Sequence, residues 1–185
     1  MSREARIVTV FGSGRLRAND PQYTEARRLG AELAAKGFRV CSGGYAGVME
    51  AVSRGAKEAG GQTLGVTAEF FRSRANEWID EEVRAKTWHE RLFELVKLGD
   101  GYVTCPGGTG TLAELAIVWE MLNKGAMARK PFAVLGDFWR PVVELVSEVE
   151  FGRARDRGKS DAPLVHVASS PADAAEYLAG QFQAR

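Results

Sequence analysis

The chain has 185 residues, 45% of them hydrophobic, with 25 basic and 24 acidic side chains and a formal net charge of +1. That length supports one substantial core, expected as a single domain over residues 1–185, and the composition excludes a disordered or fibrous chain. The balanced charge offers no general attraction for nucleic acid or a membrane surface, and no apolar run approaches the ~20 residues of a membrane span.

Met1-Ser2-Arg3-Glu4-Ala5-Arg6 enters a strand directly and lacks the apolar core of a signal peptide, so the expected location is cytoplasmic. Arg6 to Phe11 is a β-branched run that reads as a buried strand closed by the turn Gly12-Ser13-Gly14. Asp20 and Pro21 supply the N-cap and first position of a helix running to Lys36, with Ala26, Leu29, Gly30 and Leu33 on its apolar face. Phe38 to Cys41 is a short second strand. The turn from Ser42 to Met49, which contains Gly43, Gly44 and Gly47, leads into an Ala-rich helix that stops at Gly60 and Gly61. Thr63 to Val66 makes a third strand.

The segment from Thr67 to Trp78, with Phe70, Phe71, Arg72 and Arg74 in no period, is either a loop near a ligand or a packed connection. Thr87-Trp88-His89-Glu90 matches a capping box, which starts a helix through Leu98 with Arg91 in its first turns. Gly101 to Thr104 is a central strand, Leu112 to Asn123 a helix, Phe132 to Leu135 a fifth strand and Trp139 to Glu150 a further helix. Gly152 to Lys159 reads as a solvated polar loop, Leu164 to Val167 as a last strand, and Ser170-Pro171 opens a terminal helix. Repeated strand–helix alternation implies right-handed crossovers, hence an α/β, Rossmann-like domain: a mostly parallel, doubly wound sheet with helices on both faces.

Chemistry concentrates where strands end in glycine. Cys105-Pro106-Gly107-Gly108-Thr109-Gly110-Thr111-Leu112-Ala113-Glu114 reads as strand end, turn and helix start, leaving free N–H groups at the positive end of a helix dipole, a ready phosphate site. Thr111 and Glu114 also match a capping box, in which the glutamate would serve only its own helix. Arg17 stands where a dinucleotide fingerprint needs its third glycine, and no Walker A loop is present, so neither NAD, FAD nor any other cofactor is expected. Cys41 and Cys105 lie outside any C-x-x-C or metal-ligand pattern, so they are expected as buried thiols and no metal site is expected. The helix after the third turn is apolar all round: Leu112, Leu115, Ala116, Trp119 and Leu122 share one face, and Ile117, Val118 and Met121 lie on the other. The sheet covers one side, and a homodimer with Ile117, Val118 and Met121 near its interface is expected to cover the other.

Pro106-Gly-Gly-x-Gly-Thr-x-x-Glu114, with Ser42-Gly-Gly-x-x-Gly-Val-Met49 upstream and His89-Glu-Arg91 between them, resembles the LOG (Lonely guy) family of cytokinin riboside 5′-monophosphate phosphoribohydrolases, over about Ile7 to Leu135. The resemblance implies hydrolysis of the N-glycosidic bond of a nucleoside 5′-monophosphate to free base and ribose 5-phosphate. It puts the catalytic arginine and glutamate on Arg91 and Glu114, the phosphate on Gly107, Gly108, Thr109, Gly110 and Thr111, and further nucleotide contacts on Ser13, Gly43, Gly44 and Met49. The label "possible lysine decarboxylase", also attached to such relatives, carries little weight, since no lysine is marked out to hold pyridoxal phosphate. Leu92 replaces a frequent lysine, Ala113 the first of two paired acids, and Phe11-Gly-Ser-Gly14 a usual Cys-Gly-Ser-Ser, which marks a divergent member. Molybdenum cofactor carriers resemble the same fold and glycine loops, and such a carrier needs the phosphate cradle without hydrolysis.

Overall fold

A computed structural model describes residues 5–151 and 163–184. The polar stretch Gly152 to Lys159 lies outside the described residues. Seven strands form one sheet: β1 (Ile7–Phe11), β2 (Arg39–Ser42), β3 (Thr63–Ala68), β4 (Glu81–Ala85), β5 (Gly101–Thr104), β6 (Phe132–Leu135) and β7 (His166–Ala168). Every neighbouring pair is parallel, in the order β4-β3-β2-β1-β5-β6-β7. The helices are α1 (Pro21–Ala35), α2 (Val48–Glu58), α3 (Trp88–Leu98), α4 (Thr109–Asn123), α5 (Arg140–Phe151) and α6 (Pro171–Gln183). Side chains of α1, α2 and α6 fill one core layer with Val8, Val10, Val40 and Val103, and those of α3, α4 and α5 fill the other with Phe11, Leu64, Val66 and Tyr102. This is the expected doubly wound α/β architecture.

β4 is the strand that the sequence concealed, so Phe132–Leu135 becomes the sixth. Its residues Glu81, Glu82, Val83 and Arg84 carry little of the apolar signal of a buried strand, because β4 is the sheet edge and mostly exposed. Charge on an edge strand blocks pairing with another chain, and here Arg39 reaches across to Glu81. The last strand is His166–Ala168, starting two residues and ending one residue later than expected. Asp20 occupies the N-cap of α1, yet its carboxylate caps nothing there and instead accepts from the Arg17 amide at 2.6 Å.

The helix after β5 needs the largest correction. α4 begins at Thr109 with Gly108 as its N-cap and no side-chain capping bond, so Glu114 falls in the second turn and the Thr111–Glu114 capping box does not exist. Its core face is Thr111, Leu115, Val118, Trp119 and Leu122. Val118, set on the outer side of the helix, is 0% exposed within the single chain and belongs to the core, so it offers no surface to a second copy; Ile117 and Met121 are half-buried, and Leu112 and Ala116 face outward.

From the edge strand β4 the chain returns to place β5 beside β1, and the α1–α2 pair on one layer is packed backbone to backbone. A Cβ on Gly30 of α1 would stand 2.0 Å from the Val52 carbonyl oxygen of α2. Helix propensity alone predicts that Gly30→Ala gains up to about 1 kcal/mol. The packing predicts the opposite sign, a loss of about 1–3 kcal/mol in urea unfolding, because the two helices must separate.

Candidate active site

Reversal of strand order between β1 and β5 opens a crevice at the carboxyl edge of the sheet, where ligands bind in such folds. The backbone of Ser13 ties the three glycine turns together there. Its amide donates to the Pro106 carbonyl at 3.1 Å, and its carbonyl accepts from the Val48 amide at 2.8 Å. A cleft of about 600 Å³ lies over this junction, within the range of small-molecule sites.

One end of the cleft is built from amides. Gly108, Thr109, Gly110 and Thr111 line it at the start of α4, whose first intrahelical bond runs from the Leu112 amide to the Gly108 carbonyl at 2.9 Å. The Thr109, Gly110 and Thr111 amides therefore have no acceptor among the described residues, as the first turn of any helix requires. Gly12, Ser13 and Gly14 line the cleft beside them.

Arg91 and Glu114 line the same cleft without pairing. Arg91 is 6% exposed. Its Nε donates to the Val66 carbonyl at 2.7 Å and its Nη2 to the Gly43 carbonyl at 2.9 Å, with the Met49 sulfur at 3.6 Å. The chain passes so close at Gly43 that a Cβ there would lie 1.7 Å from Nη2, so only glycine fits under the guanidinium. The Tyr45 and Phe71 ring centroids lie 5.3 and 5.5 Å from the guanidinium carbon. Burial pulls the Arg91 guanidinium below its ordinary value, and the Glu114 charge opposes that pull. Glu114 is half-buried and has no hydrogen-bond or ion-pair partner among the described residues. Burial pushes its carboxyl up to about 7, against the Arg91 charge, which acts to lower it. A cleft carboxyl raised in this way can exchange a proton near neutral pH.

Of the residues singled out from the sequence, Ser13, Met49, Arg91, Gly108, Thr109, Gly110, Thr111 and Glu114 line the one cleft. Gly43, Gly44 and Gly107 stand behind it: Gly43 under Arg91, and Gly107 against the Thr111 side chain. His89 is exposed and lies outside the lining. Sequence reasoning passed over Arg15, Tyr45 and Leu92, and left Phe71 and Trp88 open; all five line the cleft. Phe71 arrives on a short 3-10 turn, Glu69–Phe71, in the segment without period. That segment is pinned at both ends, by Ala68 to the Tyr45 hydroxyl and by the Asn76 amide to the Gly44 carbonyl at 2.8 Å. Its one sequence signal was the pair of adjacent phenylalanines outside any apolar face. Cys41 and Cys105 are buried, and burial pushes both thiols up to about 12, so neither is a nucleophile. Among the described residues no group of three or more His, Cys, Asp or Glu is placed to hold a metal, and no helix is long and apolar enough to cross a membrane.

Fold and cleft together define a Rossmann-like α/β protein with an amide cradle and a buried arginine beside a half-buried glutamate at its switch point. The profile of the SLOG cluster4 family matches residues 5–150, and the chain belongs to that family. It is 39% identical over 103 residues to a cytokinin riboside 5′-monophosphate phosphoribohydrolase of Mycobacterium marinum, covering 54% of this chain and 55% of that one. It is 34% identical over 140 residues to phosphoribohydrolase LOG7 of Arabidopsis thaliana, covering 72% and 62%. The chain thus spans somewhat over half the length of these curated relatives. Among solved structures, the molybdenum cofactor binding protein of Rippkaea orientalis superposes with a TM-score of 0.75 at 27% identity, covering 98% of this chain and 99% of that one.

A carboxyl whose folded value lies near 7, above the ordinary 4.5, holds a proton that the unfolded chain has already lost. Its burial cost therefore grows as pH rises from about 4.5 to 7 and is fully present above. Glu114→Gln is expected to gain up to about 3 kcal/mol over the native protein at pH 8 and nothing at pH 4, as read from urea unfolding at both values. An equal difference at the two pH values would contradict the raised carboxyl.

Proposed function

We propose that this protein is a phosphoribohydrolase of LOG type, which cleaves the N-glycosidic bond of a nucleoside 5′-monophosphate such as AMP or an N6-substituted cytokinin riboside monophosphate. The observation that carries this reading is the unpartnered Glu114 carboxyl beside Arg91, in the same cleft as the free amides of α4. The similarity to curated phosphoribohydrolases supports it.

In this reading the phosphate rests on the Thr109, Gly110 and Thr111 amides, where the helix dipole favours negative charge. The ribose then spans towards Glu114 and the base towards the wall of Tyr45, Phe71 and Trp88. As the C1′–N bond breaks, the base leaves with the electron pair and takes up a proton from solvent, and positive charge builds on the ribose. The Glu114 carboxylate stabilises that charge and aligns the water that adds to C1′, taking its proton. Arg91, fixed by two carbonyls, acts on the carboxylate through its charge and offers its free Nη1 edge to the substrate.

The competing reading is a carrier that holds a phosphorylated pterin without hydrolysis, and the structural likeness to a molybdenum cofactor binding protein favours it. A carrier has no chemical use for a half-buried, unpartnered carboxyl poised near neutrality. The hydrolase is expected to release free base from AMP or N6-isopentenyl-AMP, and Glu114→Ala to lower kcat by about 10²–10⁴-fold while still binding nucleotide. No base release by the native protein, with nucleotide bound equally well by Glu114→Ala, would establish the carrier instead.

A homodimer belongs to the same proposal. Phe93 on α3, Leu112 on α4, and Leu145 and Val149 on α5 are exposed, whereas α1, α2 and α6 leave no large apolar side chain exposed among the described residues. The α3–α5 layer is thus the side left to be covered by a second copy, with the half-buried Ile117 and Met121 of α4 in that layer. Light scattering at micromolar concentration is expected to give about twice the chain mass of 20.1 kDa; a mass of one chain would count against it. A phosphorylated substrate and two unpaired thiols also fit a cytoplasmic location.

A further inference from the structure

The β1–α1 turn carries a cation that nothing else in the site neutralises. Arg15 lines the cleft together with the first turn of α4. Its backbone is fixed by the same junction that joins the three turns: the Arg15 amide donates to Ser13 Oγ at 3.2 Å, and Ser13 is bonded to both Pro106 and Val48. Arg27 and Arg54 pair with Glu58 and Arg140 with Asp137, whereas Arg28, Arg72, Arg74 and Arg84, like Arg15, make no ion pair among the described residues; of these five, Arg15 is the one that lines the cleft. The Arg15 guanidinium has neither an ion pair nor a hydrogen bond among the described residues. The cleft lining holds one acid, Glu114, and two cations, Arg91 and Arg15. Arg91 is buried with Nε and Nη2 committed to carbonyls, so Arg15 is the lining cation whose whole fork is available.

We propose that Arg15 is a substrate-binding residue that clasps the 5′-phosphate from the β1–α1 turn and makes the cleft select nucleotides over nucleosides. This rests on the nucleotide-site reading given above. The amides at the start of α4 are neutral donors and serve any oxyanion. A phosphate ester carries close to two negative charges at neutral pH, and a guanidinium can meet two of its oxygens at once through a planar fork. Because Arg15 is exposed, its contribution is screened by salt, unlike that of the buried Arg91.

The test uses Arg15→Ala and Arg15→Lys in the full chain, with two readouts. The first is thermal stabilisation by ribose 5-phosphate, which needs no turnover. The second is the kinetics of base release from AMP and from adenosine. Arg15→Ala is expected to match the native melting temperature without ligand, to lose most of the stabilisation by ribose 5-phosphate, and to raise KM for AMP by about 5- to 50-fold. The loss falls on KM more than on kcat, the preference for AMP over adenosine shrinks by a similar factor, and Arg15→Lys recovers part of both. Native-like stabilisation and KM in Arg15→Ala would overturn the assignment while leaving the hydrolase standing. If the native protein releases no base, yet ribose 5-phosphate stabilises it only when Arg15 is present, the anion site stands and the hydrolase does not.

Discussion

Arg91 is the constraint on which the site depends. A guanidinium 6% exposed, with no acid within ion-pair distance, is an expensive thing to bury, and two backbone carbonyls, Val66 within β3 and Gly43 after β2, hold it. Those bonds lock α3 to the carboxyl edge of the sheet. They also explain the local sequence: glycine at 43 because no side chain fits beneath the guanidinium, and Met49 beside it as a soft, weak acceptor that leaves the charge unquenched.

Glu114 is the counterpart of that charge. It faces Arg91 across the cleft without pairing to it, so the two share a field and not a bond. A closed ion pair would have pulled the carboxyl down and spent the arginine's donors. Held apart, the arginine keeps one edge open and the carboxyl stays near the point where it can change charge. The carboxyl half of the couple has no partner to satisfy it, which costs stability and supports the proposed role of Glu114.

Much of this was legible in the sequence because glycine turns after β-branched strands report backbone geometry directly. The strands and helices around the sheet, and the capping box that starts α3, follow from local signals. What escaped was decided by neighbours. β4 reads as polar because it is an edge, and α4 starts two residues before the threonine that looked like its cap, since Gly108 takes the N-cap and Gly110 enters the first turn. Val118 was set on the outer side of a helix apolar all round, where periodicity cannot say which side the sheet will cover. The aromatic wall was only hinted at by the paired phenylalanines: Tyr45 and Phe71 sit in turns, and only the pinning of residues 68 and 76 to the second glycine turn brings them to Arg91.

The protein thus joins an amide cradle, a free surface cation and a held-apart Arg–Glu couple within one crevice at the switch point of its sheet. The couple is the central claim, and direct titration of the Glu114 carboxyl carbon by NMR in the ligand-free protein tests it. A midpoint near 7 is predicted, and a midpoint near the ordinary 4.5 would contradict the account.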